Sequence, residues 1–114
     1  MTVKRKGEKI LVEESSGNVF ADLGLPNAEE RLAKADLAIA IAREIESRGL
    51  TQAEAADLLG VAQPDISNLM RGRLSGYSIE RLTRLLNALG RDVEIRIHPT
   101  RAGEQRGHLR VAGG

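Results

Sequence analysis

The chain has 114 residues, and its 17 Lys and Arg nearly balance its 16 Asp and Glu, for a formal net charge of +1. This length suits one domain, while a charge so close to zero leaves the overall field uninformative about a polyanionic partner. The absence of cysteine excludes disulfides and thiolate metal sites, and an aromatic content of 2% is too low for the stacking platforms that bind single-stranded nucleic acid.

Residues 1–26 are predicted to form an N-terminal arm. They mix charged residues with Ser and Gly and carry one short apolar run, Ile10 to Val12, without helical periodicity. No apolar stretch of signal-peptide length follows the basic start, and nowhere do about 18 apolar residues follow one another. We therefore expect a cytoplasmic protein without a membrane-spanning segment.

A first helix is predicted from Asn27. Asn27 can cap a helix, Glu30 stands at the spacing of a capping box, and Gly49 supplies a C-terminal cap. Apolar residues then recur at intervals of three and four, which is the pattern of an amphipathic helix of roughly 20 residues. The predicted apolar face consists of Leu32, Ala35, Ile39, Ala42 and Ile45.

Two short helices joined by a tight turn are predicted next. Thr51 and Glu54 have the spacing of a capping box, and Gly60 closes the second helix. Pro64 suits the first turn of the third helix, where a missing amide proton is tolerated, and Gly72 marks its end. The two helices together have the element order of a helix-turn-helix.

A close crossing of these two helices needs small residues and an apolar contact. Ala56 and Gly60 provide the small residues, and Ile66 and Leu69 of the third helix are expected to point into the angle between the helices. The opposite face of the third helix is then left free. The apolar residues expected to meet Ile66 and Leu69 are Leu58, Leu59 and Val61.

The fourth helix is predicted between its cap Ser78 and Gly90. Beyond Gly90 the hydrophobic period changes to two, which predicts one strand over residues 92–98. Residues 99–114 carry few apolar side chains and are expected to form a basic, flexible tail. The predicted apolar stripe of the fourth helix consists of Ile79, Leu82, Leu85, Leu86 and Leu89.

The segment TQAEAADLLGVAQPDISNLMRG, residues 51–72, resembles the helix-turn-helix of the phage-repressor-like XRE regulators. GNVFADLGLPNAEERLAKADLAIAIAREI before it and LSGYSIERLTRLLNALGRDVEIRI after it are similar to HigA-type antitoxins. The resemblance covers about residues 17–98 and implies a protein that represses its own operon and neutralises a RelE-type (HigB-like) ribonuclease toxin. Met70, where many relatives carry Glu, and Asp65, an acidic residue near the DNA-facing end, depart from the pattern.

The expected fold is mainly α, a four-helix repressor-like helix-turn-helix domain over residues 27–98. One C-terminal β-strand is expected to pair across a homodimer, because an isolated strand cannot satisfy its backbone groups. The run Ile10 to Val12 could pair with this strand, but antiparallel pairing of two copies about Ile95 places Glu94 opposite Arg96. The predicted dimerisation residues are Val93, Glu94, Ile95, Arg96 and Ile97.

Predicted contacts with double-stranded DNA fall on the third helix and its flanks. The amides of Gln63 and Asn68 can donate and accept together, which distinguishes adenine in the major groove. Arg71 and Arg73 are placed to meet phosphates, and the resemblance adds Gln52 as a phosphate contact. The predicted base-reading residues are Gln63, Pro64, Ser67 and Asn68. The predicted phosphate contacts are Gln52, Arg71, Arg73, Ser75, Tyr77 and Ser78.

Each of these interpretations has a plainer alternative. The polar residues of the third helix could simply be solvated, and Arg71 and Arg73 could be an ordinary charged helix end. The arm contains an apolar cluster that either packs on the helices or, as the resemblance implies, contacts the toxin. The cluster consists of Val19, Phe20, Leu23 and Leu25.

Three functions therefore stay open. The first is an XRE-type autorepressor and antitoxin that binds a palindromic operator as a homodimer. The second is a protein-interaction module that neutralises a RelE-like toxin with little or no DNA binding, and the third is a stand-alone XRE repressor without a toxin.

An enzyme is not expected, because the sequence shows no nucleophile with an orienting base. No metal or cofactor is expected either, since His98 and His108 lack neighbouring ligands.

Overall fold

The computed structural model describes residues 27–113, and within that range it contains four helices and no strand. The arm of residues 1–26, with its predicted toxin-binding cluster, lies outside the described residues. The helices, in chain order, are α1 (Asn27–Ser47), α2 (Gln52–Leu59), α3 (Gln63–Met70) and α4 (Ile79–Ala88). The predicted order of helices is confirmed. None of these helices combines the length and apolar character needed to cross a membrane.

The buried face of α1 differs from the predicted one. Leu32 is 62% exposed and Ile39 is 48% exposed, so the predicted stripe was wrong at both positions. The segment LAIAIA, residues 37–42, places apolar side chains around more than half of the helix, and its periodicity therefore fits two stripes equally well. Packing against the other helices selects between them. The buried residues are Ala33, Leu37, Ala38, Ile41 and Ile45.

The core of the unit that begins at Arg31 gathers apolar residues from all four helices. Leucines of α4 form a stripe that is buried as predicted, with Ile79 partly buried at its N-terminal end. Burial of a side chain of this size stabilises the fold by about 1.5–3 kcal/mol. The largest fully buried side chains are Ile41, Ile45, Ile66, Leu82 and Leu89.

Local capping determines where α2 begins and ends. The Glu54 amide donates to Thr51 Oγ1 at 3.1 Å and the Thr51 amide donates to Glu54 Oε1 at 2.8 Å, so the predicted capping box is confirmed. Gly60 adopts a left-handed conformation with φ of 69°, which a residue with a Cβ rarely adopts. The next amide, that of Val61, donates to the Ala56 carbonyl oxygen at 3.0 Å. This turn sets the angle at which α3 leaves α2.

The contact between α2 and α3 follows the predicted pattern with one correction. Ile66 and Leu69 are buried, while Leu59 and Val61 are partly buried against the core. Leu58, which was expected to meet them, is instead half exposed. The core-facing side of α2 is occupied by the small Ala55 and Ala56, which lets α3 approach closely.

A polar cluster joins the C-terminal ends of α1 and α4. The Arg48 guanidinium donates to the Leu89 carbonyl oxygen, and it also pairs with Glu44 at 3.5 Å. Glu44 makes a second ion pair, with Arg91, at 3.6 Å. An arginine at this place satisfies a carbonyl group that the end of α4 leaves without a helical partner.

The segment predicted as a strand belongs to no helix or ladder in the described chain. Ile95 is 83% exposed and Ile97 is 93% exposed, while Glu94 and Arg96 pair within the chain at 2.9 Å. A strand at residues 92–98 would need a partner that a single copy does not offer within residues 27–113. The strand and its pairing across a dimer therefore stay predictions.

The tail predicted to be flexible makes at least one contact with the core. Val111 is partly buried and packs against the buried cluster. Leu109 and Val111 lie beside Leu32 and Ala33 of α1. Within the tail, His108 and Glu104 approach to 3.4 Å. The C-terminal segment thus covers part of α1.

Candidate nucleic-acid interface

Helix α3 presents one polar face and buries the other. Ile66 and Leu69 face the core, whereas Gln63 and Pro64 are exposed. The remaining two residues predicted to read bases, Ser67 and Asn68, are partly exposed. All four predicted base-reading residues thus lie on a helix whose other face holds it to the domain. This arrangement leaves a short polar helix surface accessible to a ligand.

Most of the predicted phosphate contacts are exposed, at the start of α2 and in the chain that follows α3. Gln52, the first residue of α2, is exposed, as are Arg71 and Arg73 after α3. The chain reverses at Gly72, which has φ of 76°, and the Arg73 amide then donates to the Asn68 carbonyl oxygen at 2.8 Å. This hydrogen bond places Arg73 beside the C-terminal half of α3. Both arginines therefore flank the polar face.

Three residues of the loop before α4 were predicted to contact phosphate, but the structure shows that two are exposed and one is buried. Ser75 and Ser78 are exposed, and the Ser78 hydroxyl caps α4 by accepting from the Arg81 amide at 3.0 Å. Tyr77 is instead only 4% exposed, its amide donates to the Leu74 carbonyl oxygen, and its hydroxyl donates to the Asp65 carbonyl oxygen at 2.8 Å. With both donors engaged, Tyr77 holds the loop to α3 and is not available as a phosphate donor. Its predicted role is corrected to a structural one.

Burial also changes the chemistry of the Tyr77 side chain. Removal from water disfavours the phenolate and raises the pKa of Tyr77 above its ordinary value of 10.0, with the nearby Arg81 partly opposing this and Asp65 adding to it. The hydroxyl therefore stays protonated, and remains a donor to Asp65, over a wider range of pH than an exposed tyrosine would.

Sequence reasoning missed Arg81. Its guanidinium Nη2 lies 3.1 Å from Asp65 Oδ2, and its Cζ lies 4.5 Å from the centroid of the Tyr77 ring. A cation in the first turn of a helix opposes the helix dipole, and Arg81 is the third residue after the cap of α4. This unfavourable position of a positive charge was the one feature of the sequence that indicated an anionic partner for Arg81 on another element.

These residues surround an open cleft between α3 and the start of α4, which we name the α3–α4 cleft. It brings together four residues that were predicted to contact DNA, the buried Tyr77 among them, with the Asp65 and Arg81 pair. Within residues 27–113, no group of three or more histidine or carboxylate side chains could hold a metal ion. The lining residues are Asp65, Asn68, Arg73, Ser75, Gly76, Tyr77 and Arg81.

Comparisons with known proteins found a matching family and similar solved structures. The sequence matches the family described as "Helix-turn-helix domain" over residues 19–98, which include all four helices and the α3–α4 cleft. A solved structure described as an XRE-family transcriptional regulator is 43% identical, with a TM-score of 0.73, over 78% of this chain and 100% of the other. Comparison with curated protein sequences gave no match.

Proposed function

Because this chain belongs to the XRE family of DNA-binding helix-turn-helix transcriptional regulators, we propose that α3 enters the major groove and reads a specific operator. The observation that carries this proposal is the two-sided character of α3. Ile66 and Leu69 hold one face in the core, and Gln63 and Asn68 lie on the other side. A helix fixed in this way presents its side chains at reproducible positions, which base readout requires.

Base readout is assigned to the first turn and the middle of α3. Gln63 and Asn68 carry amides that match the donor and acceptor pattern of adenine in the major groove. Ser67 can contact either kind of base edge, and Pro64 offers an apolar surface that suits a thymine methyl group. Each good bidentate contact discriminates against a wrong base by about 1–3 kcal/mol.

Phosphate contacts are assigned to the residues that flank α3. Gln52 lies at the start of α2, where the first helix of the motif crosses the DNA backbone. Arg71, Arg73 and Ser75 follow α3 in the chain and are exposed, and the exposed loop around Ser78 can add a further contact. Such contacts fix the position of the protein on the duplex but carry no sequence information.

A homodimer on a palindromic operator completes the proposal. Val93, Ile95 and Ile97 alternate in the sequence, and the last two are among the most exposed large apolar residues of residues 27–113. Antiparallel pairing of two copies would cover these side chains and satisfy the backbone. The Glu94 and Arg96 ion pair would then be exchanged between chains, at little cost, since exposed pairs contribute about 0–1 kcal/mol.

We further propose that the protein is the antitoxin of a RelE/HigB-like toxin. The support is the similarity of residues 17–98 to HigA-type antitoxins, together with the apolar cluster of Val19, Phe20, Leu23 and Leu25 in the arm. The alternatives are a stand-alone XRE repressor and a toxin-binding module without DNA binding.

Deletion of residues 1–24 is expected to abolish co-purification of a co-encoded toxin while DNA binding persists. Retention of the toxin by the truncated protein would refute the assignment of toxin binding to the arm.

DNA reading is tested by selection from a library of random-sequence duplexes. The full-length protein is expected to enrich one palindromic motif, whose two halves are separated by one helical turn of about 34 Å. The matched control is the double variant Gln63→Ala/Asn68→Ala, which keeps every phosphate contact and should not enrich the same motif. Failure of the unaltered protein to enrich any motif would contradict the proposal.

A further inference from the structure

Asp65 is out of place on a helix that approaches DNA. It lies in the first turn of α3, next to two of the predicted base-reading residues, and its carboxylate is partly exposed. A carboxylate at a helix N-terminus is favourable for the helix dipole. The same charge placed against the phosphates of a duplex is repulsive, since like charges across an interface oppose association.

The structure shows how that charge is compensated. The Arg81 guanidinium pairs with the Asp65 carboxylate at 3.1 Å, and its second terminal nitrogen donates to the Gly76 carbonyl oxygen at 3.4 Å. The guanidinium also lies over the Tyr77 ring. Arg81 is therefore fixed on three sides, and its partner is on a different helix, 16 positions away in the chain.

Asp65 is held at its backbone as well as at its side chain. Tyr77 donates its hydroxyl hydrogen to the Asp65 carbonyl oxygen, so one residue of the loop before α4 and one of its first turn both bind the first turn of α3. Tyr77 fixes the position of this turn, and Arg81 fixes the orientation of the Asp65 carboxylate. The carboxylate is thereby held in the α3–α4 cleft, paired with a residue of α4.

We infer that Arg81 is a positioning residue for DNA binding, which acts by neutralising Asp65 and holding its carboxylate away from the duplex. Arg81 directs one donor of each terminal nitrogen at Asp65 and Gly76, so its role is assigned to this pairing and not to a phosphate contact. The inference rests on the proposed function, since it concerns how the same face of α3 binds DNA. It differs from the phosphate role assigned to Arg71 and Arg73, which have no such anionic partner among the contacts described above.

The test is a double-mutant cycle measured on the operator selected above. It uses Arg81→Gln, Asp65→Asn and the two combined, with operator affinity and its dependence on salt as readouts. Arg84→Gln is the matched control, because Arg84 loses the same charge on the same helix and also pairs with a carboxylate, that of Glu80. Thermal unfolding of each variant monitors the fold.

Arg81→Gln is expected to weaken operator binding at least about tenfold, because it leaves the Asp65 charge uncompensated. Addition of Asp65→Asn should restore affinity to within about threefold of the unaltered protein and restore the salt slope. Asp65→Asn alone should bind as well as the unaltered protein or more tightly, and Arg84→Gln should change affinity less than about threefold.

Three results would overturn the inference. A double variant that stays weak, with a salt slope reduced by about one, would show that Arg81 contacts phosphate directly. A loss of affinity or specificity in Asp65→Asn alone would show that the carboxylate itself reads a base, and this measurement stands even if Arg81→Gln does not fold. If the unaltered protein did not bind an operator at all, the proposed function itself would be wrong. The inference, which rests on it, would then fail as well.

Discussion

At the scale of single residues, side chains near the DNA-facing surface divide into those that hold the surface and those that are free to contact a ligand. Tyr77 and Arg71 lie only six positions apart in sequence, yet the first is buried and the second exposed. The ring of Tyr77 fills space in the core, and its hydroxyl serves the first turn of α3. Exposure of a donor, and not its position in the chain, decides which of the two tasks it can perform.

Arg71 is predicted to act as a pure phosphate contact. Arg71→Ala should weaken binding to operator and to random duplex by the same factor, because phosphates are common to both. The slope of log affinity against log salt should fall by about one, as for the loss of one phosphate contact. Binding measured at several salt concentrations checks this. An unchanged slope would place Arg71 away from the DNA backbone.

Tyr77 gives a prediction about pH. Its pKa is raised in the folded protein, so its contribution to stability is fully present below the unfolded value of about 10 and is lost as pH rises through the folded value. The free energy of unfolding should therefore fall less steeply above about pH 10 in Tyr77→Phe than in the unaltered protein. At neutral pH the variant should lose about 1 kcal/mol, the value of one hydrogen bond. A difference between the two proteins that is constant from about pH 8 to 11 would contradict this.

At the scale of elements, α1 shows most clearly where sequence reasoning falls short. Its apolar residues surround too much of the helix for periodicity alone to select a face. The face that is buried contains Leu37, Ile41 and Ile45, at helical spacings of four. Of the predicted face, Leu32 and Ile39 are exposed and Ala35 and Ala42 partly buried, and Ile45 is buried as predicted.

A pair of substitutions on α1 tests this assignment. Ile41 is fully buried, so Ile41→Ala should cost about 2–5 kcal/mol of unfolding free energy through lost burial and the cavity left behind. Ile39 lies on the same helix but is half exposed, and Ile39→Ala is expected to cost less than about 1 kcal/mol. Denaturant unfolding of both variants compares them. Equal costs would show that the buried face of α1 is wrongly assigned.

The elements that sequence did predict depend on interactions between near neighbours. The capping box of Thr51 and Glu54 and the left-handed turn at Gly60 involve residues that are close in the chain, so their spacing is sufficient information. The Asp65 and Arg81 pair and the burial of Tyr77 depend on how α3 and α4 meet, which no local pattern encodes. The helices, the turn and the polar face of α3 were therefore predictable, whereas the contacts that orient α3 were not.

At the scale of the whole molecule, the alternating apolar residues after α4 have to be covered or remain in water. Large exposed apolar side chains on a run without pairing are a common mark of an interaction surface. Pairing of two copies would also bring two α3 helices onto one duplex, which increases the number of phosphate contacts available to a small domain.

Ile95→Pro tests this pairing, because proline removes a backbone donor at the centre of the proposed strand pair. Sedimentation is expected to show a dimer for the unaltered protein and a monomer for the variant at tens of micromolar. Ala102→Pro is the control, since Ala102 precedes Gly103 (φ 87°) in a turn closed by the Glu104 amide and the Arg101 carbonyl oxygen, where proline is favoured. A dimer that persists in Ile95→Pro would exclude the proposed pairing.

The most direct test of the central claim, that the exposed face of α3 reads sequence, is the ratio of affinities for operator and random duplex. For the unaltered protein this ratio is expected to be at least about 10³. Gln63→Ala and Asn68→Ala should each lower it by about 10- to 100-fold, corresponding to 1–3 kcal/mol per contact, without a change in unfolding temperature. An equal loss of affinity for both duplexes, leaving the ratio unchanged, would show that these side chains do not read bases and would contradict the account.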